Sequence, residues 1–380
     1  MIEAGKRKVR EPLFHITKRA SLPWWHAWII RGVAILAALV VCGVLTVLVT
    51  DLNPLDVYRS MFEGAFGSET KTWVTMRGVA ILLCISLAVT PAFRMRFWNT
   101  GAEGQVLAGG IGCAACMIYL TRVLPNAAVI PLMLAASIAM GVLWAVIPAI
   151  FRAGWNTNET LFTLMMNYVA MQLIAFLMTK WESPKGSGTI GVINLMTEKG
   201  WLPTLFGNES LLPIIVVAVL TVLLYIYLQY SKHGYEISVV GESENTARYI
   251  GINVKKVIIR TMALSGAICG LAGLLLVGGS SHSIDSNLVD GRGFTAIMVS
   301  WLAKFDPFTM ILTTLLLVFL ARGADEVTSK FGLNSDFSEI LTGIILFFII
   351  GCEFFINYQV HFNYHKKEKT ASAAVSGEGN

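Results

Sequence analysis

Long apolar stretches alternate along this chain with short polar connections. Segments 27–50, 73–93, 104–121, 127–151, 160–179, 211–229, 259–279, 294–321 and 337–356 are each long and apolar enough to cross a bilayer, or nearly so. A spanning helix needs about 20 apolar residues. None of these runs has the period-two alternation of a membrane barrel, so helices are the expected spanning form. Stretch 294–321 is interrupted by Lys304-Phe305-Asp306-Pro307. A proline inside a helix removes a donor and crowds the preceding turn. The interruption predicts two half-helices, or a re-entrant hairpin plus a crossing. The pattern as a whole predicts an all-α polytopic membrane protein with about 9–10 transmembrane or half-membrane helices. Residues 1–26 read as a basic cytoplasmic arm, 27–358 as the membrane domain, and 359–380 as a cytoplasmic, disordered tail.

Composition agrees with this picture. Of 380 residues, 55% are hydrophobic and only 14% charged, with a mean hydropathy of +0.65. Soluble domains carry about 25% charged residues, so an ordinary soluble enzyme, a coiled coil and a disordered chain are excluded. The net charge of +5 is small and scattered, which argues against nucleic acid and fits loops facing anionic lipid. The six cysteines, Cys42, Cys84, Cys113, Cys116, Cys269 and Cys352, all fall in apolar stretches and suggest no disulfide framework.

Charge also predicts orientation through the positive-inside rule. Lys6, Arg7, Lys8, Arg10, Lys18 and Arg19 place the arm in the cytoplasm. Alternation then puts loops 94–103, 152–159 and 230–258 inside, and 51–72 and 180–210 outside. Lys366, Lys367 and Lys369 ask for a cytoplasmic tail, which nine simple crossings do not deliver but ten membrane elements do. The hexapeptide RGVAIL occurs at 31–36 and 77–82 in segments of opposite direction and reads as coincidence.

Three polar constellations stand out. The first is Trp98-Asn99-Thr100-Gly101-Ala102-Glu103-Gly104-Gln105. Thr100 and Glu103 have capping-box spacing, and Gly104, Ala108, Gly112 and Cys116 form a small-residue ridge. Asn99, Glu103 and Gln105 are candidates for lining a pathway, because ionisable and amide groups at membrane depth are costly. The second is Asn156 to Tyr168, in which Glu159, Thr163 and Asn167 share one helix face. They serve either as interhelical hydrogen-bond glue or as the lining for a neutral polar solute. The third is Gly241 to Ile252, a short cytoplasmic helix in which Glu244 and Arg248 pair at i, i+4 and Gly251 ends the helix. Gly241, Glu244, Ala247, Arg248, Tyr249 and Gly251 would form an idle surface helix or a docking knob. Gly266-x-x-x-Gly270 follows as a close-packing signature.

Other chemistry finds no support. There is no G-x-x-x-x-G-K-[ST], no H-E-x-x-H and no G-x-S-x-G. Ser281, His282 and Asp285 are adjacent in sequence without triad geometry, and His361 with His365 are two ligands too few for a metal site. The spans hold few ionisable groups and no evident basic cluster for phosphate.

These motifs resemble the permease subunits of bacterial ABC importers for branched-chain amino acids, ribose-type sugars and nucleosides. FWNTGAEGQ (97–105) is similar to the family's N-I-G-A-E-G-Q, and NETLFTLMMNYVA (158–170) to N-E-x-x-x-T-L-M-x-N-Y-I-A. Residues 241–252 resemble G-x-N-x-x-A-A-R-Y-x-G-I, SGAICGLAG resembles S-G-A-x-A-G-x-A-G, and GRGFTAI (291–297) resembles a further family run. The likeness extends from about residue 73 to 356 and is nearest the nucleoside branch. Thr100, Thr246 and Glu242-Ser243-Glu244 depart from the pattern.

The resemblance implies a dimer with a second, identical or homologous, permease subunit in the bacterial cytoplasmic membrane. A cytoplasmic ABC ATPase would hydrolyse ATP and seat the coupling helix at 241–252. An extracellular solute-binding lipoprotein would deliver the solute. The chain itself would bind no cofactor and do no covalent chemistry. The solute would be a nucleoside, or a simple sugar such as ribose. A self-sufficient secondary transporter or channel is the alternative class, with Glu103, Glu339 or Glu353 for coupling ions, but it leaves a docking helix without purpose.

Overall fold

In the computed structural model the described residues, 14–18, 23–50 and 52–362, are overwhelmingly helical. The elements in order are β1 (Phe14–Lys18), α1 (Trp24–Thr50), α2 (Pro54–Phe66), α3 (Glu69–Arg94), α4 (Ala102–Tyr119), α5 (Asn126–Trp155) and α6 (Glu159–Trp181). There follow α7 (Leu211–Tyr230), α8 (Lys232–Glu242), α9 (Glu244–Tyr249), α10 (Val254–Leu276), α11 (Arg292–Leu302), α12 (Pro307–Phe331), α13 (Ser335–Asn357) and β2 (Tyr358–Phe362). Among the described residues nine helices are long and apolar enough to cross a membrane. The expected spans are all present.

The chain divides into two units. In the smaller one, residues up to 54 and from 340 onward, α1 runs beside α13. Arg31 pairs with Glu353 at 2.5 Å, and the Cys42 thiol lies 3.8 Å from the Leu341 carbonyl. Strands β1 and β2 pair antiparallel, from Phe14 against Phe362 to Lys18 against Tyr358. The two ends of the described chain therefore leave this unit side by side. The pairing takes residues 359–362 out of the expected disordered tail, while the basic residues before Phe14 and after Phe362 lie outside the described residues.

The larger unit, residues 55–339, is built around α3, α4 and α10, the most buried helices. Their starts follow local sequence. Ser68, Asn158, Ser231, Ser243, Asn253 and Asp306 each accept a backbone N–H from the first turn of the helix that follows. Pro307 is the first residue of α12, where its missing donor costs nothing. So the Lys304–Pro307 interruption is a true break between α11 and α12. Left-handed Asn156 and Gly332 close α5 and α12.

Glycines set the closest contacts. A Cβ on Gly266 would strike the Gly141 carbonyl, and one on Gly270 the Ser137 carbonyl, so α10 and α5 touch through backbone. Gly109 and Gly273 do the same between α4 and α10. The expected ridge on α4 is split among neighbours: Gly104 packs on α6, and Gly112 on α5.

Two elements differ from expectation. Loop 51–72, expected outside, contains α2, whose Glu63 meets Lys330 at 3.0 Å. That lysine, with Arg59, holds the Glu63 carboxyl below its ordinary range. Helix α12 continues past 321 to Phe331, because Arg322, Asp325 and Glu326 end the apolar run without ending the helix.

Candidate functional site

The polar start of α4 is buried where α6, α10 and α11 meet it. The Asn99 side chain donates to Ser265 Oγ at 3.2 Å and accepts from Gln105 Nε2 and from the Gly101 N–H, both at 3.1 Å. Thr100 sits opposite α6. Its hydroxyl donates to the Thr160 carbonyl at 3.0 Å and lies 3.0 Å from that of Thr163. Asn167 uses both ends of its amide: the Gly104 N–H donates to Oδ1 at 2.8 Å, and Nδ2 donates to the Thr100 carbonyl at 2.9 Å. Thr163 and Asn167 thus point the same way, as their spacing predicts, and both are buried.

Glu103 takes a different role from the one its spacing suggests. The helix cap is Gly101, without a side-chain bond, and Thr100 is engaged by α6. The capping-box expectation is therefore corrected: tertiary partners outcompete the local cap because this helix start is buried. The Glu103 carboxylate accepts the N–H groups of Gly291 at 3.0 Å and Gly293 at 2.8 Å. A carboxylate at a helix start is favoured by the unpaired N–H groups and the dipole there. A Cβ on Gly293 would come within 2.6 Å of the Glu103 backbone N, so only glycine fits. Below, α11 ends in an aromatic cluster in which Trp301 stacks on Trp98 at 5.7 Å and meets Phe93 edge-on.

A line of charge leads from this junction to the surface. The Thr163 hydroxyl donates to the Glu159 carbonyl at 2.8 Å. The Glu159 carboxylate faces Arg152 at 3.4 Å, Arg152 faces Glu244 at 3.6 Å, and Glu244 pairs with Arg248 at 3.2 Å. Glu244 and Arg248 belong to α9, the short helix expected at 241–252. Gly241 is not part of it. It lies in α8, with its Cα so close to the Arg94 carbonyl that a Cβ would collide. Ala247 is fully buried beneath α9, whereas Tyr249 is 93% exposed and Ile250 beside it 53%. Gly251 has φ +86°, a left-handed conformation that glycine adopts freely.

Of the six expected pathway residues, Asn99, Glu103, Gln105, Thr163 and Asn167 converge in this buried junction and Glu159 at its edge. Sequence reasoning missed Ser265, noticed only for the glycines around it, and Arg152, whose loop 152–159 was placed only by its side of the membrane. The Ser281, His282 and Asp285 grouping is not a catalytic arrangement. The Ser281 hydroxyl donates to main-chain carbonyls, and His282 stacks flat on Trp201 at 3.8 Å. Burial lowers the affinity of His282 for a proton. Among the described residues no group of three metal-ligating side chains occurs.

Among the described residues, nine helices long and apolar enough to span, a buried polar junction and an exposed short helix joined to it by ion pairs fit a membrane transport subunit. The sequence matches the family described as branched-chain amino acid transport system / permease component over residues 74–350, and the chain belongs to that family. It is an ABC permease, and the family implies an ATPase and a substrate-binding protein as partners. The chain is 30% identical to the glucose ABC transporter permease protein TsgB13 of Haloferax volcanii, over 94% of this chain and 96% of that one. It is 29% identical to the guanosine ABC transporter permease protein NupP of Bacillus subtilis, over 81% and 88%. It is 26% identical to the nucleoside ABC transporter permease protein NupB of Lactococcus lactis subsp. cremoris, over 81% and 86%.

Proposed function

We propose that this chain is the membrane subunit of an ATP-driven importer for a nucleoside, working by alternating access with a second permease subunit. The observation that carries the coupling is the charged line from exposed α9 through Arg152 and Glu159 to the junction of α4, α6, α10 and α11. A cytoplasmic ATPase docks on Tyr249 and Ile250 and is the component that hydrolyses ATP. Its movement reaches Arg152 through Glu244 and biases the packing of α6 against α4. An external solute-binding lipoprotein delivers to the opposite ends of the helices.

Both termini are cytoplasmic in this reading. The side-by-side β1 and β2 and the basic residues beyond them support that placement. Asn99, Glu103, Gln105, Glu159, Thr163 and Asn167 control the path by fixing the helices that line it. Gly241 seats α8, and Glu244, Ala247, Arg248, Tyr249 and Gly251 shape the coupling helix. A simple sugar is the second reading, favoured by the likeness to a glucose permease protein.

Uptake of labelled guanosine by cells expressing the whole transporter, with unlabelled competitors, tests both. Competition by nucleosides and not by sugars, lost when the Walker lysine of the ATPase is replaced, is the expected outcome. Competition by sugars alone selects the second reading. Uptake indifferent to the ATPase substitution overturns the coupling.

A further inference from the structure

Helix α6 starts at Glu159, beside the ion pairs that lead to α9, and its 23 residues carry it about 34 Å to Trp181. Helix α4 ends at Tyr119. There the Trp181 Nε1 donates to the Tyr119 hydroxyl at 2.9 Å, with the two rings edge to face. The two apolar spans thus finish together, at Arg122 and Trp181, on the side of the membrane away from α9.

Loop 182–194 closes over these two ends and leaves a cleft of about 370 Å³. Tyr119 and Arg122 line it from the end of α4, Lys180 and Trp181 from α6, and Glu182 and Ser183 from the loop. The loop is tied down as a wall. The Asn194 amide donates to the Met117 carbonyl at 2.9 Å and to the Lys199 carbonyl at 2.8 Å, and the Ile193 N–H donates to the His282 carbonyl at 2.8 Å.

Two cations therefore share one small cleft. Among the described residues neither Arg122 nor Lys180 has an ion pair. The Lys180 ammonium rests over the Phe176 ring, 5.7 Å from its centroid. The carboxylate in the lining, Glu182, accepts the Gly188 N–H of its own loop at 3.4 Å. Arg122 and Lys180 against Glu182 leave the lining with one net positive charge. Tyr119, having accepted from Trp181, keeps its own proton to donate, and Ser183 brings a second hydroxyl. A cation in the last turn of a helix also offsets the dipole, which accounts for one charge on each helix. It does not account for both charges meeting hydroxyl donors in one cleft where the spans end. Apolar surface adjoins these donors: Ile118 lines the cleft, and Phe176 stands exposed one turn before Lys180. Tyr and Trp at such a level sit among lipid headgroups. An occupant with an anionic head and an apolar body matches both halves. A soluble anion, or a carboxylate of a docking protein, matches only the first.

We propose that this cleft binds a phospholipid with an anionic headgroup. Arg122 and Lys180 face its phosphate, Tyr119 and Ser183 donate to its oxygens, and an acyl chain lies along Ile118 and Phe176. The bound lipid ties the end of α6 to the end of α4. The site depends on the membrane placement of the chain and not on the solute it carries.

The test uses the full-length chain purified in detergent with its partner subunits. Native mass spectrometry follows titration with dioctanoyl-phosphatidylglycerol, dioctanoyl-phosphatidylcholine or glycerol 3-phosphate. The proteins are wild type, Arg122→Gln, Lys180→Gln and Lys185→Gln. Lys185 is an exposed cation of the same loop that does not line the cleft. Arg122 and Lys180 are also exposed, so both variants are expected to fold. Losing one hydrogen bond to a charged group weakens an interaction about tenfold or more. Wild type is expected to bind phosphatidylglycerol at least about tenfold more tightly than either other probe. Arg122→Gln and Lys180→Gln are each expected to lose about tenfold in that affinity, and Lys185→Gln to match wild type. Equal binding of the two lipids overturns the site. So does a loss with Lys185→Gln as large as with the other two, which would reduce the attraction to diffuse charge. Glycerol 3-phosphate binding as tightly as the lipid makes the ligand a soluble phosphate and overturns the lipid. Unchanged lipid binding in both cleft variants, with reduced recovery of the solute-binding lipoprotein, overturns the lipid and gives the cleft to that partner.

Discussion

Both ends of the Asn167 amide are engaged with main-chain groups, the Gly104 N–H and the Thr100 carbonyl. Replacing the residue with alanine strands one buried backbone group, the Gly104 N–H, and one part-buried group, the Thr100 carbonyl, at roughly 1–3 kcal/mol for the first and less for the second. Asn167→Ala is therefore expected to lower stability by roughly 1–4 kcal/mol, seen as a fall in thermal unfolding temperature in detergent. Its neighbour Tyr168 is 56% exposed, and Tyr168→Ala is the control expected to change little. Equal melting of the two variants would contradict the role given to Asn167. The face that holds Glu159, Thr163 and Asn167 was legible in the sequence, because helical spacing alone places them together. Thr100 was not legible as their partner, since Thr160 and Thr163 are 60 and 63 positions away. Nor was the Glu103 role, because nothing local announces that its acceptors serve glycine N–H groups nearly two hundred residues on.

Elements were legible where hydropathy dominated and hidden where it did not. The spans and the break at Pro307 follow from apolar runs and one proline. Helices α2 and α8 escaped because both mix charge with apolar residues over fewer than two dozen positions. A short helix within 241–252 was legible in the sequence, although Gly241 falls outside it, and its contacts needed the fold. Ala247 faces inward and Tyr249 outward. Tyr249→Ala is expected to leave stability within about 0.5 kcal/mol of wild type, while abolishing ATPase co-purification and uptake. Ala247→Leu is expected to cost roughly 1–3 kcal/mol through overpacking, and to lose stability and uptake together. Full ATPase recovery with Tyr249→Ala would move the docking surface elsewhere.

At the scale of the whole molecule, the sequence foretold a helical membrane bundle, and the glycine pattern foretold that some helices would touch. It did not foretell that α4, α5 and α10 meet main chain to main chain at several glycines. A Cβ on Gly270 has no room, whereas one on Gly154 meets nothing within 4 Å. Gly270→Val is expected to eliminate monodisperse protein in size-exclusion chromatography, and Gly154→Ala to leave it intact. Normal behaviour of the first variant would mean the contact can yield.

The contact between α5 and α10 has a mechanical consequence. Side chains between helices can change rotamer and absorb a small slide, but a joint made of backbone has no such slack. The two helices are then a single rigid beam. Helix α10 has 23 residues and is about 35 Å long. A tilt of about 5° imposed at its α9 end displaces its far end by roughly 3 Å, with nothing lost on the way.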